Sequence, residues 1–384
     1  MHIALLYVDA GKGHITPARA LSDALQRLGH TTVVENLFAT VGSPMINWIS
    51  KYNWRLQLHF PKMEAKVNAK SDTAANAKRV RYVTTHSHAI KDFKIWFDQV
   101  KPDLIVVTHF LAASMIQPLV DVLELKVPVF EYAADVVFTP NLGINKNLDR
   151  LYICTEIGKE LAIRAGQPEH TIRICPFPLK TELMQSKPLS KQEARHKLGL
   201  KDCFTVLLNL GGEGIGTADF LEEVAERNLD WQVITVGELS ASTKMHYKLF
   251  KEKHPDFPLY TPGFVKNIQD YICACDVQAG KAGANALMES LSLQRPFLIS
   301  SLLYSAWPTT IFFERRKVGW VENDVSKQVD ILQAYSSNQT EQQKMQQAFK
   351  DLPLVFDSDA FAKQIIADAA EVMKLKFGIA VNPS

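Results

Sequence analysis

Cysteine, net charge and long apolar runs are all scarce in this chain, and each shortage narrows the function. The 384 residues hold five cysteines, Cys154, Cys175, Cys203, Cys273 and Cys275, an odd number with no CxxC pair. That pattern argues against a disulfide framework, and three of the five sit in or beside strand-like runs. Reduced, buried thiols in a cytoplasmic protein are expected. Cys273 and Cys275 have no second Cys/His pair at metal-ligand spacing, so no metal and no cofactor is expected. The formal net charge is only +2, which argues against a dedicated nucleic-acid binder. No apolar run is long enough to span a membrane: Leu104 to Leu125 is interrupted by His109, Gln117, Asp121 and Glu124. The apolar stretch after Met1 is short, lacks a basic lead-in and runs into a glycine turn, so no signal peptide is expected. Solenoid repeats and low-complexity tracts are also missing.

What is present is a move made twice. Ile3 to Val8 is a strand-like run, Gly11-Lys12-Gly13-His14 a glycine turn, and Pro17 to Leu28 an amphipathic helix. About 200 residues later, Thr205 to Leu210 breaks into Gly211-Gly212-Glu213-Gly214-Ile215-Gly216, and a helix pattern follows. Glycines let backbone N–H groups approach an anion, and a helix N-terminus adds partial positive charge. Two such units predict two nucleotide-type α/β domains facing each other, suited to an activated, phosphate-bearing donor.

Strands and helices alternate around these units. Strands are expected at 31–35, 103–107, 127–132, 151–154 and 172–174, with helices at 74–100, 109–123 and 156–165. Runs without polar alternation suit a parallel sheet covered on both faces. Pro176, Pro178 and Pro188 bracket an apolar-poor segment that reads as an interdomain linker. The division expected is 1–180, 181–355 and a C-terminal helix within 356–384 that packs back on the first domain. Ser190 with Glu193 forms a capping box opening a helix to Leu198. Further strands are expected at 204–210, 231–236, 277–279 and 296–300, with final helices at 341–350 and 359–376.

Several residue groups carry chemistry, and each has a plainer reading beside it. His14 at a helix mouth can accept a proton from a hydroxyl, or it merely caps the helix. Glu213 is a donor-site residue or an acid interacting with the helix dipole. In Asp276-Val277-Gln278-Ala279-Gly280-Lys281-Ala282-Gly283-Ala284-Asn285, a strand ends in small residues and a helix starts at about Gly283. The N–H groups of Gly283, Ala284 and Asn285 would face a diphosphate, and Glu289 could reach a ribose diol. Glu289 as a solvated acid and Lys281 as an ordinary lysine are the alternatives. Between Met45 and Val100 stand ten Lys/Arg against four acids, interleaved with Trp48, Tyr52, Trp54, Phe60 and Trp96. Trp48, Lys51, Trp54 and Arg55 fit a face docked on an anionic membrane. Core aromatics with solvated lysines are the alternative there.

These segments together resemble the monogalactosyldiacylglycerol synthases and bacterial processive diacylglycerol glucosyltransferases. They are more distantly similar to the lipid I N-acetylglucosaminyltransferase of peptidoglycan synthesis. The resemblance runs through Gly11–His14, Lys101-Pro102-Asp103-Leu104-Ile105 and Thr155-Glu156. It continues in Gly211–Gly214, Pro262-Gly263-Phe264-Val265, Ala274-Cys275-Asp276 and Lys281 through Glu289 to Pro296. Order and spacing match over roughly residues 1–330. The resemblance implies an α/β GT-B fold, two Rossmann-like domains facing a central cleft, and an inverting, metal-independent transfer from a UDP-sugar to a lipid hydroxyl. It implies His14 as base, Gly13 and the glycine loops near the donor, and Phe264 and Val265 against the uracil. Gly283 and Ala284 would lie at the diphosphate and Glu289 at the ribose. Asp135, following a strand in the acceptor domain, is the next candidate base.

Three departures from the pattern stand out. Lys12 replaces a glycine, and Asn285 replaces a small or hydroxylated residue. Ala306 and Trp307 stand where relatives read hexose hydroxyls with Gln/Glu-type side chains. Trp307 could stack on a sugar face, and Thr309 or Thr310 could donate a hydrogen bond. The expected protein is therefore a cytoplasmic, peripherally membrane-associated glycosyltransferase. A sugar-nucleotide epimerase on the same fold, or a non-catalytic UDP-sugar-binding protein, are the alternatives.

Overall fold

The structure is a computed structural model. It describes residues 1–9, 12–42, 48, 61–135, 137, 139–209, 218–281, 283–301 and 307–380, leaving out the side chains of 61, 62, 64 and 65. The chain divides into two compact units. One holds residues 1–185, 303–308 and 353–384, and the other 186–302 and 309–352.

In the first unit, six strands form one parallel sheet: β1 (His2–Tyr7), β2 (Thr31–Asn36), β3 (Leu104–Val107), β4 (Val129–Tyr132), β5 (Arg150–Ile153) and β6 (Ile172–Ile174). Their order across the sheet is β2-β1-β3-β4-β5-β6. Every residue of β3, β4 and β5 is buried, as a parallel strand covered on both faces requires. One face packs Leu6, Val107 and Leu151 against Ile116 and Leu119 of the helix Phe110–Val122 and against Phe93 and Trp96. The C-terminal helix Ser358–Phe377 lies against the rings of Tyr132 and Tyr152, with centroids 5.4 and 5.1 Å from Phe361. Polar bonds fix its position. Asp368 accepts from Tyr152 Oη at 2.7 Å and from Arg150 and Arg173 Nε at 3.4 Å, and Arg27 pairs with Asp359 at 2.6 Å.

The helical run expected over 74–100 is two helices, Ala74–Thr85 and Ala89–Val100. Ser87 makes the break: its hydroxyl accepts from Ala89 N at 3.3 Å and donates to the Thr84 carbonyl at 3.1 Å. Such local side-chain bonds compete with the helix ladder. Trp96, one of the aromatics interleaved with the basic residues of 45–100, is a core residue whose Nε1 donates to Glu35 at 2.5 Å. The segment around Pro176–Pro188 is also held in place. Phe177 N donates to Val355 O at 2.7 Å, Phe177 and Leu179 are buried, and Thr181–Gln185 is a short helix.

The second unit holds β7 (Phe204–Asn209), β8 (Trp231–Val236), β9 (Leu259–Gly263), β10 (Val277–Lys281), β11 (Phe297–Ser301) and β12 (Gly319–Val321). The sheet is parallel, in the order β12-β11-β10-β7-β8-β9. β9 and β12 have no counterpart in the sequence expectation; they are the short edge strands, and β9 carries Pro262. At Gly280 a Cβ would sit 2.6 Å from the Asn209 carbonyl oxygen, so only glycine lets β10 lie this close to β7. The capping box forms as expected at Ser190 and Glu193. Beneath it, Arg195 donates to Asp276 at 2.7 Å and to the Ala274 carbonyl at 3.1 Å. Asp276 also accepts from Thr205 N at 2.7 Å and Lys191 Nζ at 2.6 Å. This network ties the amino end of β10 to that of β7, giving Asp276 a structural role.

Candidate functional site

In an open parallel sheet, ligands settle outside the carboxyl ends of the strands, where consecutive connections leave to opposite sides. The first sheet has that switch between β1 and β3, because β2 lies on one side of β1 and β3 on the other. The residues that follow those two strands meet there. The helix after β1 begins at Lys12, earlier than expected, so Gly13 and His14 belong to its first turn. Pro17, expected to open the helix, lies inside it. Its missing N–H leaves the Gly13 carbonyl without an i+4 partner, a defect tolerated near a helix start.

His14 is 8% exposed. Its Nδ1 lies 2.7 Å from the Thr108 carbonyl oxygen. A carbonyl only accepts, so Nδ1 carries the proton and Nε2 holds a lone pair, the tautomer a general base needs. Thr108 reciprocates, its Oγ1 donating to the His14 carbonyl at 2.9 Å. His109 packs against the His14 ring with centroids 4.3 Å apart. It caps the helix Phe110–Val122, its Nδ1 accepting from Leu111 N at 3.0 Å. Burial, and then the neighbouring His14, hold the His109 pKa well below the usual histidine range, so its ring is neutral. Asp135 follows β4 by three residues and is half-buried. Glu131, at the carboxyl end of β4, is fully buried and pushed up to about 8 by desolvation, with Thr139 opposing and Asp135 adding to the shift.

The second sheet has its switch between β7 and β10. The loop after β7, with Gly212, Glu213 and Gly214, lies outside the described residues. The loop after β10 runs from half-buried Lys281 into the helix Ala284–Ser292. Gly283 is its N-cap, extended at φ −83° and ψ 123°, and offers no side-chain acceptor to the first-turn N–H groups. The first turn also lacks an acid. A helix N-terminus without a side-chain cap or an acid presents N–H groups and a positive dipole end to an anion. A Cβ on Gly283 would meet nothing within 4 Å. Ala284 and Asn285 are half-buried, and Glu289, one and a half turns on, is 5% exposed. At the end of β9, Gly263 takes φ +77°; beyond it, Phe264 is 61% exposed and Val265 rests on the small cluster around Ile234 and Val236. Trp307 is partly exposed and Thr309 is buried.

Of the face expected to meet a membrane, Lys51, Trp54 and Arg55 lie outside the described residues, and Trp48 is 67% exposed. All five thiols are free, four of them buried; burial pushes Cys275 up to about 12. Among the described residues no group of three or more His, Cys, Asp or Glu could hold a metal ion. No helix among them is long and apolar enough to cross a membrane.

Thr108, His109 and Glu131 are the residues that sequence reasoning missed. The available signal was a polar pair directly after the β-branched run Ile105-Val106-Val107. An acid inside the apolar strand Val129-Phe130-Glu131-Tyr132 was a second signal.

No protein-family profile matches the chain. Among curated proteins it is 22% identical over 382 residues to the processive diacylglycerol β-glucosyltransferase of Bacillus pumilus, covering 95% of this chain and 94% of that one. It is 26% identical over 167 residues to a probable chloroplastic monogalactosyldiacylglycerol synthase of Nicotiana tabacum, covering 41% of this chain and 31% of that one. Among solved structures, Acinetobacter baumannii MurG superposes with a TM-score of 0.61 at 12% identity, covering 98% of this chain and 99% of that one. A Neisseria meningitidis UDP-GlcNAc 2-epimerase bound to UDP-GlcNAc gives the same TM-score at 11% identity, over 97% and 100%. The fold is that of the GT-B glycosyltransferases, two parallel six-stranded α/β units. Over almost its whole length, the chain is similar to the diacylglycerol glycosyltransferases.

Proposed function

We propose that this chain is an inverting glycosyltransferase that moves a hexose from a UDP-sugar to the hydroxyl of a diacylglycerol-type lipid. The observation that carries the reading is His14 at the first switch point, its Nδ1–H fixed on the Thr108 carbonyl and its Nε2 lone pair available. In the reaction, His14 Nε2 takes the hydroxyl proton as the acceptor oxygen bonds to the anomeric carbon. The bond to the UDP oxygen breaks on the opposite face, so the configuration inverts. The departing diphosphate is stabilised at the start of the helix Ala284–Ser292, by Gly283, Ala284 and Asn285, with Lys281 beside them. Preorganised donors of this kind act where charge develops and can serve in place of a metal. Glu289 holds the ribose diol, Phe264 and Val265 line the uracil, and Trp307 and Thr309 read the sugar. Gly13 keeps the first helix turn open, and Gly212, Glu213 and Gly214 complete the donor loops.

The acceptor side supports the lipid. On the helix Pro61–Ser71, Met63 and Val67 are exposed one turn apart, alternating with exposed Lys66 and Lys70. On Ala74–Thr85, Tyr82 and Val83 are exposed with Lys78 and Arg79. Apolar and basic side chains side by side are what an anionic lipid surface binds. With Trp48, Lys51, Trp54 and Arg55, they make a cytoplasmic, peripherally attached enzyme the best reading.

The test is incubation with a panel of UDP-sugars, with and without diacylglycerol. Acceptor-dependent glycolipid formation, unchanged by chelator, is expected. An epimerised UDP-sugar formed without acceptor, or UDP-sugar binding with no turnover, would overturn the proposal.

A further inference from the structure

The two imidazoles at the first switch point offer opposite hydrogen-bonding faces. His14 has its proton on Nδ1, bound to the Thr108 carbonyl at 2.7 Å, and presents a lone pair at Nε2. His109 accepts the Leu111 N–H on Nδ1 at 3.0 Å, so its proton sits on Nε2 and that atom is a donor. Neither Nε2 has a hydrogen-bond partner among the described residues. The rings lie with centroids 4.3 Å apart at 60°, and both residues are more than nine-tenths buried. Burial and the adjacent His14 keep His109 neutral, so its Nε2–H stays a donor. A lone capping histidine would need only Nδ1.

Building on the glycosyl-transfer reading, we infer that His109 is a second acceptor-binding residue. Its Nε2–H donates to an oxygen on the carbon next to the hydroxyl that His14 deprotonates. Two N···O contacts of about 2.8–3.0 Å to neighbouring oxygens suit two rings at this separation. The pair thus reads a vicinal oxygen pattern, a free hydroxyl beside an ester or hydroxyl oxygen, as in glycerol esters and sugars. A simple long-chain alcohol has only the first of the two. A site built to hydrogen-bond a substrate oxygen discriminates against an analogue lacking it, because the buried donor is then left unpaired.

The test compares a short-chain diacylglycerol with a long-chain primary alcohol in the same detergent, for the wild type and His109→Asn. Asparagine keeps an acceptor for the Leu111 N–H but ends short of the Nε2 position, so the cap and the melting temperature are retained. The wild type is expected to prefer the diacylglycerol. His109→Asn is expected to lower its kcat/KM by about 10–100-fold and that for the alcohol by less than about two-fold. Equal losses on both acceptors would overturn the assignment. Nitrogen-15 spectra of the wild type decide the point without turnover. A neutral His109 ring protonated on Nε2 from pH 6 to 8 is expected, and a proton on Nδ1 or a cationic ring would overturn it. A wild type that glycosylates neither acceptor would remove the transferase reading, while the spectra would still judge the donor.

Discussion

Replacing Glu131 by Gln should stabilise the first unit, and the gain should depend on pH in a defined way. Glu131 is fully buried at the end of β4. One oxygen accepts from Thr139 Oγ1 at 3.0 Å, and Oε2 has no partner among the described residues. Desolvation raises the carboxyl from 4.5 to about 8. Because the folded pKa lies above the unfolded one, the folded state holds this proton more tightly. The stability it contributes is complete below pH 4.5 and is lost as pH rises toward 8. At 1.36 kcal/mol per unit, the loss is ~5 kcal/mol across the window, of which ~3 kcal/mol has gone by pH 7. That is large against a total stability of ~5–15 kcal/mol. Glutamine has nearly the same shape and does not titrate, so the difference between variant and wild type isolates this one group. Urea unfolding at pH 5 and pH 8 should show Glu131→Gln gaining on wild type by ~3 kcal/mol between the two. A difference that stays constant with pH, or that favours wild type as pH rises, would refute the buried neutral carboxyl.

Asp368→Ala should destabilise the first unit by ~2–4 kcal/mol, because among the described residues it leaves buried Arg150 with only the half-exposed Glu371 as a counter-charge. Hydrogen exchange should accelerate along Ser358–Phe377, and unchanged protection there would contradict this role. Glu289→Ala should weaken UDP binding by about 10–100-fold in calorimetry, the effect of removing a charged hydrogen-bond acceptor; an unchanged dissociation constant would make Glu289 structural only. Vesicle binding should rise with anionic lipid and fall with salt, since exposed charges are screened within about 8–10 Å. Trp48→Ala with Lys51→Glu and Arg55→Glu should abolish that binding yet keep UDP affinity. Equal sedimentation of this variant and wild type with anionic vesicles would remove the membrane reading.

Much of the fold was legible because buried parallel strands advertise themselves. β3, β7 and β8 are near-continuous apolar runs, and the capping box at Ser190 and Glu193 marks a helix start to the residue. The edge strands of the second sheet hid because pairing on one side alone tolerates Pro262 in β9 and needs only three residues in β12. The break at Ser87 depends on one hydroxyl bonding in both directions, which helical periodicity does not reveal. At the site, His14 stood out through its glycine neighbours, and Glu289 through its distance from Gly283. Thr108, His109 and Glu131 did not, because their importance comes from strand order: β3 lies beside β1, and β4 beside β3, only in the folded sheet. The rings of His14 and His109 come from residues 95 positions apart. No sequence spacing announces that pair.

The central claim is that His14 removes the acceptor proton in glycosyl transfer from a UDP-sugar. Its most direct test is the turnover of His14→Ala with the UDP-sugar and diacylglycerol, measured beside its UDP dissociation constant. Losing a general base should lower turnover by about 10²–10⁴-fold, while UDP affinity stays within a few fold because the donor groups are untouched. Wild-type turnover in this variant would contradict the account and pass the role of base to Asp135.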